Sequence, residues 1–96
     1  MIEEEIVFEQ SGPNGRFYLV AGGNTVAEMF VHFAEFNRLI IDHTEVLPGN
    51  NGKGYGKKLV VSAVEYAREN NKRIVPVCPY ARSVFSKTDE YNDVLG

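Results

Sequence analysis

Three glycines stand in the stretch Asn51-Gly52-Lys53-Gly54-Tyr55-Gly56, with Lys57 and Lys58 directly behind them and a helical apolar pattern after that. Glycine has no Cβ, so it leaves main-chain N–H groups uncovered. At the start of a helix such groups meet an anion with the positive end of the helix dipole behind them. The amides of Gly52, Lys53, Gly54, Tyr55, Gly56 and Lys57 therefore form a candidate cradle for a phosphate-bearing cofactor. A ligand-free helix entry would use the same residue types. Local charge favours the cradle: no Asp or Glu occurs between positions 50 and 63, although the whole chain carries a formal charge of −3.

The second candidate is Cys78, the one cysteine of the chain, followed directly by Pro79 and Tyr80. It falls between an apolar strand and a helix opened by proline, close to the N-cap, where the dipole and free N–H groups favour a thiolate. Such a group can serve as acid to a departing thiolate or as an acyl-accepting nucleophile. A buried, inert thiol is the plain alternative. His43 and Glu45 are two residues apart on a strand and so share a face. Histidine ordinarily titrates near neutrality, which makes His43 the better acceptor of a proton from an attacking amine, with Glu45 orienting it or the substrate. Ordinary polar groups on a half-exposed strand would look alike. Tyr80 offers a phenol near the thiol, or a packed ring with its hydroxyl bonded. His32 reads as structural or surface. A metal site is not expected: one cysteine and two histidines, with neither C-x-x-C nor H-x-x-x-H spacing, do not supply a ligand set. No Ser-His-Asp order or nucleophile elbow occurs.

These residues need elements to hold them. Residues 6–10 read as a first short strand, 11–15 as a turn, 16–21 as a second strand, and 22–24 as a hairpin turn. Residues 25–33 make a third strand with Ala27, Met29, Val31 and Phe33 on one face. After a turn at 35–38, residues 39–47 make a fourth strand. Strict alternation places Ile41, His43, Glu45 and Leu47 on one face and Ile40, Asp42, Thr44 and Val46 on the other. The helix, at about 52–70, carries a stripe of Leu59, Val60, Ala63, Val64 and Ala67. Residues 74–77 are wholly apolar and read as a strand buried on both faces, parallel to the fourth. Residues 79–87 form a last helix with proline in its first turn. The fold class is α/β (α+β): an antiparallel meander of four strands, a glycine loop and helix, a fifth parallel strand, and a C-terminal helix.

Ninety-six residues bound the chain to a single domain, 1–96, with one modest core. A hydrophobic fraction of 44% argues for folding rather than disorder. The acidic balance gives no general attraction to nucleic acid or to an anionic membrane. A lone cysteine argues against a stapled secreted scaffold, no apolar run approaches transmembrane length, and the acidic opening Met1-Ile2-Glu3-Glu4-Glu5 is unlike a signal peptide, so the cytoplasm is the expected location.

Two familiar phosphate loops do not fit. The P-loop needs glycine where Asn51 stands and Ser or Thr where Lys58 stands. The dinucleotide fingerprint needs a glycine where Leu59 stands. What remains resembles the acyl-CoA pyrophosphate loop of the GNAT acyltransferase superfamily, which runs Gln or Arg, two residues, Gly, one residue, Gly or Ala. Gly54 and Gly56 match its two glycines; Asn51 departs from its first position and leaves the main-chain donors in place. The resemblance extends through Asp42-His43-Thr44-Glu45-Val46, Val75-Pro76-Val77-Cys78-Pro79-Tyr80 and Glu90-Tyr91-Asn92-Asp93-Val94-Leu95, which are similar to a small single-domain subfamily with a His-Thr-Glu-Val strand and a Cys-Pro-Tyr motif after the fifth strand. It implies a compact fold whose fifth strand splays from the fourth. It implies pantetheine paired with the main chain around Glu45, Val46 and Leu47, and a pyrophosphate held by residues 52–57. The implied activity is transfer of an acetyl group from acetyl-CoA to an amine, with Cys78, His43 and Glu45 as catalytic residues. The alternative is a non-catalytic protein that binds CoA or acetyl-CoA; a third reading is a protein-interaction domain using Tyr18, Phe30 and Phe36. The acceptor is left open, and a chain this small has room for a homodimer that completes the acceptor site.

Overall fold

The computed structural model describes residues 3–96; Met1 and Ile2 of the acidic opening lie outside the described residues. The first hairpin joins β1 (Glu4–Ser11) to β2 (Asn14–Ala21) through Gly12 and Pro13, with Gly12 at φ 57°. A positive-φ glycine followed by proline suits the right-handed twist of two paired strands. The second hairpin joins β2 to β3 (Asn24–Ala34) through Gly22 and Gly23, both at positive φ, the pairing a two-residue loop demands. β3 pairs antiparallel with β4 (Arg38–Val46), and β5 (Arg73–Pro76) lies parallel against the first part of β4. The sheet order is β1-β2-β3-β4-β5. Two helices follow their glycine and proline starts: α1 (Tyr55–Asn70) and α2 (Pro79–Ser86), with a short 3-10 turn, Asn92–Val94, near the C-terminus.

The expected elements are all present, with shifted ends. α1 begins at Tyr55 rather than near Gly52, because Gly54 at φ 76° is its N-cap and no helix can continue backward through that conformation. β5 is less enclosed than its composition suggests: Ile74 is fully buried, Val75 and Pro76 are half-buried, and Val77 falls outside the strand at 47% exposure.

The expected facing of β4 is wrong in its first half. The register jumps between Phe30 and Val31: Phe30 pairs with His43 while Val31 pairs with Ile41, so Asp42 is an extra residue on β4. Such a bulge swaps the faces of everything beyond it. Leu39 and Ile41 point into the core, and so do Thr44 and Val46, opposite Met29 and Ala27. His43 and Glu45 point the other way, opposite Phe30 and Glu28.

α1 lies on the inner face and buries Leu59, Val60, Ala63, Val64 and Ala67, the stripe expected, against Phe17, Leu19, Met29, Leu39, Ile41 and Ile74. At ~25 cal/mol per Å² of apolar surface, each of the larger side chains contributes about 1.5–3 kcal/mol. The chain end is tied down by Arg68, whose guanidinium grips Asp93 at 2.8 and 2.9 Å. Hydrogen bonding from that guanidinium holds the Asp93 carboxyl below its ordinary range, with desolvation, the next cause, working against it. The outer face of the sheet is open, with Phe30, Asp42, His43 and Glu45 all exposed. Among the described residues no helix is long and apolar enough to cross a membrane.

Candidate functional site

β5 leaves β4 at the bulge. Pro76 is the last residue of β5 to pair, opposite Ile41, and the next two amides, Val77 and Cys78, both turn back to the Ile41 carbonyl at 3.0 and 3.1 Å. From Asp42 onward β4 has a neighbour only on its β3 side, which leaves a gap between the two parallel strands. Leu47 donates its amide to Val26 at 2.9 Å, so alternation along an antiparallel ladder turns the N–H and C=O of Val46 and Thr44 toward the gap. Leu47 itself has neither group to spare, since its carbonyl accepts from the Asn50 amide at 3.1 Å. Of the three residues expected to pair with an extended arm, Val46 is available, Glu45 turns its main-chain groups toward Glu28 of β3, and Leu47 has both of its groups engaged; Thr44 is the other residue that faces the gap.

The glycine loop lies just past that strand. Gly52 and Gly54 have φ of 80° and 76°, and a Cβ built on either meets nothing within 4 Å. Their conformation favours glycine, and the space beside them is open. The amides of residues 51–57 make no hydrogen bond of good geometry to an acceptor among the described residues, although a turn over Asn51 and Gly52 brings the Lys53 amide back toward Asn50; the first helical bond is Lys58 N–H to Gly54 at 3.1 Å. An α-helix leaves four such donors at its start, and here the preceding loop adds more. Lys53 and Lys57 flank these amides. Lys58 is engaged elsewhere, its ammonium paired with Glu4 across to β1. Tyr55 is buried, so it offers the cradle its amide rather than its ring.

Gly56 is glycine for another reason. A Cβ there would lie 2.9 Å from the end of the Tyr80 ring, so the first turn of α1 and the first turn of α2 touch at this pair. Burial, and next the charge of a Cys78 thiolate, push the Tyr80 phenol above its ordinary value. A groove of about 320 Å³ opens beside it, lined by Lys57, Tyr80, Ser83, Val84, Lys87 and Thr88. A larger cleft of about 650 Å³ runs along the other flank of α1, between Ile6, Leu19 and Val61, and contains none of the catalytic candidates.

Cys78 is the N-cap of α2, and its Sγ accepts the Ala81 N–H at 3.3 Å. The residue is 5% exposed, and its sulfur also lies 3.4 Å from the Thr44 hydroxyl. His43 and Glu45 stand together on the outer face, Nε2 to Oε1 3.7 Å, with the His43 ring stacked at 6.4 Å on Phe30. The bulge thus separates the two groups of candidates: Cys78 belongs to the inner side of the gap, His43 and Glu45 to the outer. His32 is bonded to Asp42 at 2.7 Å on the outer face. Thr44 is the residue that sequence reading passed over. No local signal places it: three apolar residues, Leu39-Ile40-Ile41, run into four polar ones, Asp42-His43-Thr44-Glu45, and no alternation marks where the bulge falls.

The residues present fit an acyl-CoA. Free amides, positive-φ glycines in open space and two uncommitted lysines suit a diphosphate, and unpaired strand groups suit an amide-bearing arm. The sequence model described as GCN5-related N-acetyl-transferase matches residues 16–94. No curated protein matches the chain. The solution structure of a GCN5-like candidate N-acetyltransferase from Staphylococcus aureus is 37% identical, with a TM-score of 0.72 over 94% of this chain and 87% of that one. The fold is also shared with an acetyltransferase from Bacillus subtilis crystallised with CoA (16% identity, TM-score 0.68, 91% of this chain and 74% of that one). A Clostridium acetobutylicum protein crystallised with acetyl-CoA has it too (20% identity, TM-score 0.64, 82% of this chain and 62% of that one).

Proposed function

The chain belongs to the GCN5-related N-acetyltransferase family, and on that premise we propose that it is an acetyl-CoA-dependent N-acetyltransferase acting on an amine, with residues 1–96 working as one acyl-CoA-binding domain. Acetyl-CoA supplies the activated acetyl group as a thioester. The amides of Gly52, Lys53, Gly54, Tyr55, Gly56 and Lys57 hold its diphosphate, aided by the Lys53 and Lys57 side chains. Thr44 and Val46 offer main-chain N–H and C=O groups to the pantetheine arm, which fixes the position of the acetyl carbon. His43 takes the proton of the amine from the outer face, with Glu45 beside it, and Cys78 manages the sulfur side from the inner face.

The observation that carries this reading is the run of unengaged amides at 51–57 around two positive-φ glycines. The test is titration calorimetry of the purified chain with acetyl-CoA, followed by transfer of labelled acetyl to a panel of small amines, polyamines and peptides. No detectable heat of binding ends the proposal. The burial of Cys78 at 5% exposure favours a second reading, a protein that binds CoA without turnover. Acetyl-CoA binding without transfer to any amine supports it, and transfer that Cys78→Ala abolishes refutes it. Under either reading the chain works in the cytoplasm, and a homodimer is a natural way to complete an acceptor pocket on so small a domain.

A further inference from the structure

Thr44 is inward-facing only because Asp42 is an extra residue in β4. In an unbulged strand residue 44 would project from the outer face. Its half-buried hydroxyl instead lies 3.4 Å from Cys78 Sγ, and the Ala81 N–H reaches the same sulfur at 3.3 Å. The amide can only donate. The hydroxyl can do both: it accepts from an S–H and, after rotating, donates to a thiolate. A sulfur with one fixed donor and one reversible partner is equipped to change protonation state without moving.

We propose that Thr44 is the positioning residue of Cys78, holding its sulfur at the gap and stabilising it as a thiolate. This rests on the role given to Cys78 in the proposed function. As Cys78 acts as acid, its S–H bond breaks and the proton goes to the departing thiolate, which becomes a thiol. The electron pair stays on Sγ, where the Ala81 N–H and the rotated Thr44 O–H receive it. Thr44 neither gains nor loses a proton, and solvent reprotonates Sγ before the next cycle. The main-chain groups of Thr44 face the gap while its hydroxyl faces the sulfur, so this one residue links the arm of the acyl donor to the acid that acts on it.

The test compares Thr44→Val, which keeps the shape and removes the hydroxyl, with Thr44→Ser, which keeps the hydroxyl. Cys78 is the only cysteine, so alkylation of the ligand-free protein by iodoacetamide reports on it alone. Loss of one hydrogen bond to a charged acceptor is worth about tenfold in the equilibrium it favours, and the greater nucleophilicity of a less stabilised sulfur recovers about threefold. Thr44→Val is therefore expected to react about threefold more slowly. Thr44→Ser is expected to restore the wild-type rate, and in turnover Thr44→Val is expected to lower kcat with KM for acetyl-CoA unchanged. The proposal is overturned if Thr44→Val reacts at the wild-type rate, if Thr44→Ser is as slow as Thr44→Val, or if wild-type Cys78 is inert to the reagent. A threonine-dependent alkylation rate in a chain that transfers no acetyl group removes the proposed function and leaves the thiol–hydroxyl pairing standing.

Discussion

Replacement of Gly54 separates the two reasons a glycine can be needed, backbone conformation and access. Alanine at φ 76° costs about 1–2 kcal/mol of left-handed strain. It creates no clash, since the new Cβ has nothing within 4 Å. With a urea m-value of ~1 kcal/mol per molar, the denaturation midpoint of Gly54→Ala should fall by about 1–2 M while the transition stays cooperative. Asparagine tolerates the left-handed region, so Gly54→Asn should lose far less stability. Both side chains nonetheless stand where a phosphate must approach the amides. Loss of one charge-assisted N–H···O⁻ bond, worth about 1.5–3 kcal/mol, weakens CoA binding about 10–100-fold in both variants. Gly49→Ala supplies the control: φ is 85°, the surroundings are equally open, and the residue precedes the free amides. It should lose stability like Gly54→Ala and keep its CoA affinity. Calorimetry on the four proteins decides the matter. If affinity follows stability, so that Gly54→Asn binds normally and Gly49→Ala binds poorly, strain rather than obstruction governs the site and the diphosphate is not held at this loop.

Cys78→Ala should lose about 1 kcal/mol by urea denaturation, because α2 loses its cap acceptor, whereas Cys78→Ser, with a favoured N-cap residue, should hold stability while still losing turnover. Gly56→Ala should shift the denaturation midpoint in opposite directions in two backgrounds: destabilising where the Tyr80 ring must yield, and stabilising by up to about 1 kcal/mol in Tyr80→Ala, where only the helix preference of alanine remains. The Asp93 carboxyl is held low in the fold by Arg68, so its contribution is present above the ordinary carboxylate pKa and is lost as pH falls through the folded value. Hydrogen exchange near the C-terminus should accelerate in acid, and Asp93→Asn should abolish that acid dependence.

The architecture was legible where a local signal has a local cause. Gly12-Pro13 and Gly22-Gly23 are turns because of the φ values those residues permit, and the stripe from Leu59 to Ala67 is buried because its spacing matches a helix. The glycine loop was legible for the same reason at Gly52 and Gly54. At Gly56 the identity was right and the cause was not local, since it depends on a ring from a distant helix. The facing of β4 was misread because alternation assumes an unbroken ladder. One extra residue, Asp42, reverses the faces after it, and the side that Thr44 takes can be read only once β3 is paired.

The gap beside β4 is what makes a two-sided reaction feasible in so short a chain. His43 and Thr44 are neighbours in a strand, so their side chains leave the sheet in opposite directions. In a continuous sheet they would be sealed from each other by the main chain of the next strand. Here β5 has already turned away at Pro76, and the strand that would have closed the sheet is missing beside Thr44 and Val46. Under the proposed function, an amine arriving at the open outer face meets His43 and Glu45, an acyl donor lying in the gap meets Cys78 and Thr44 from within, and the two can approach only through the opening between β4 and β5. Deletion of Asp42 removes the bulge and leaves every other pair of the β3–β4 ladder in place, so Thr44 stays opposite Met29 on the inner face and His43 stays opposite Phe30 on the outer. If the facing of these side chains is what the reaction needs, acetyl transfer and CoA binding should both survive the deletion. Loss of transfer with CoA binding intact would mean that the bulge itself, where β5 parts from β4, shapes the opening through which the two substrates meet.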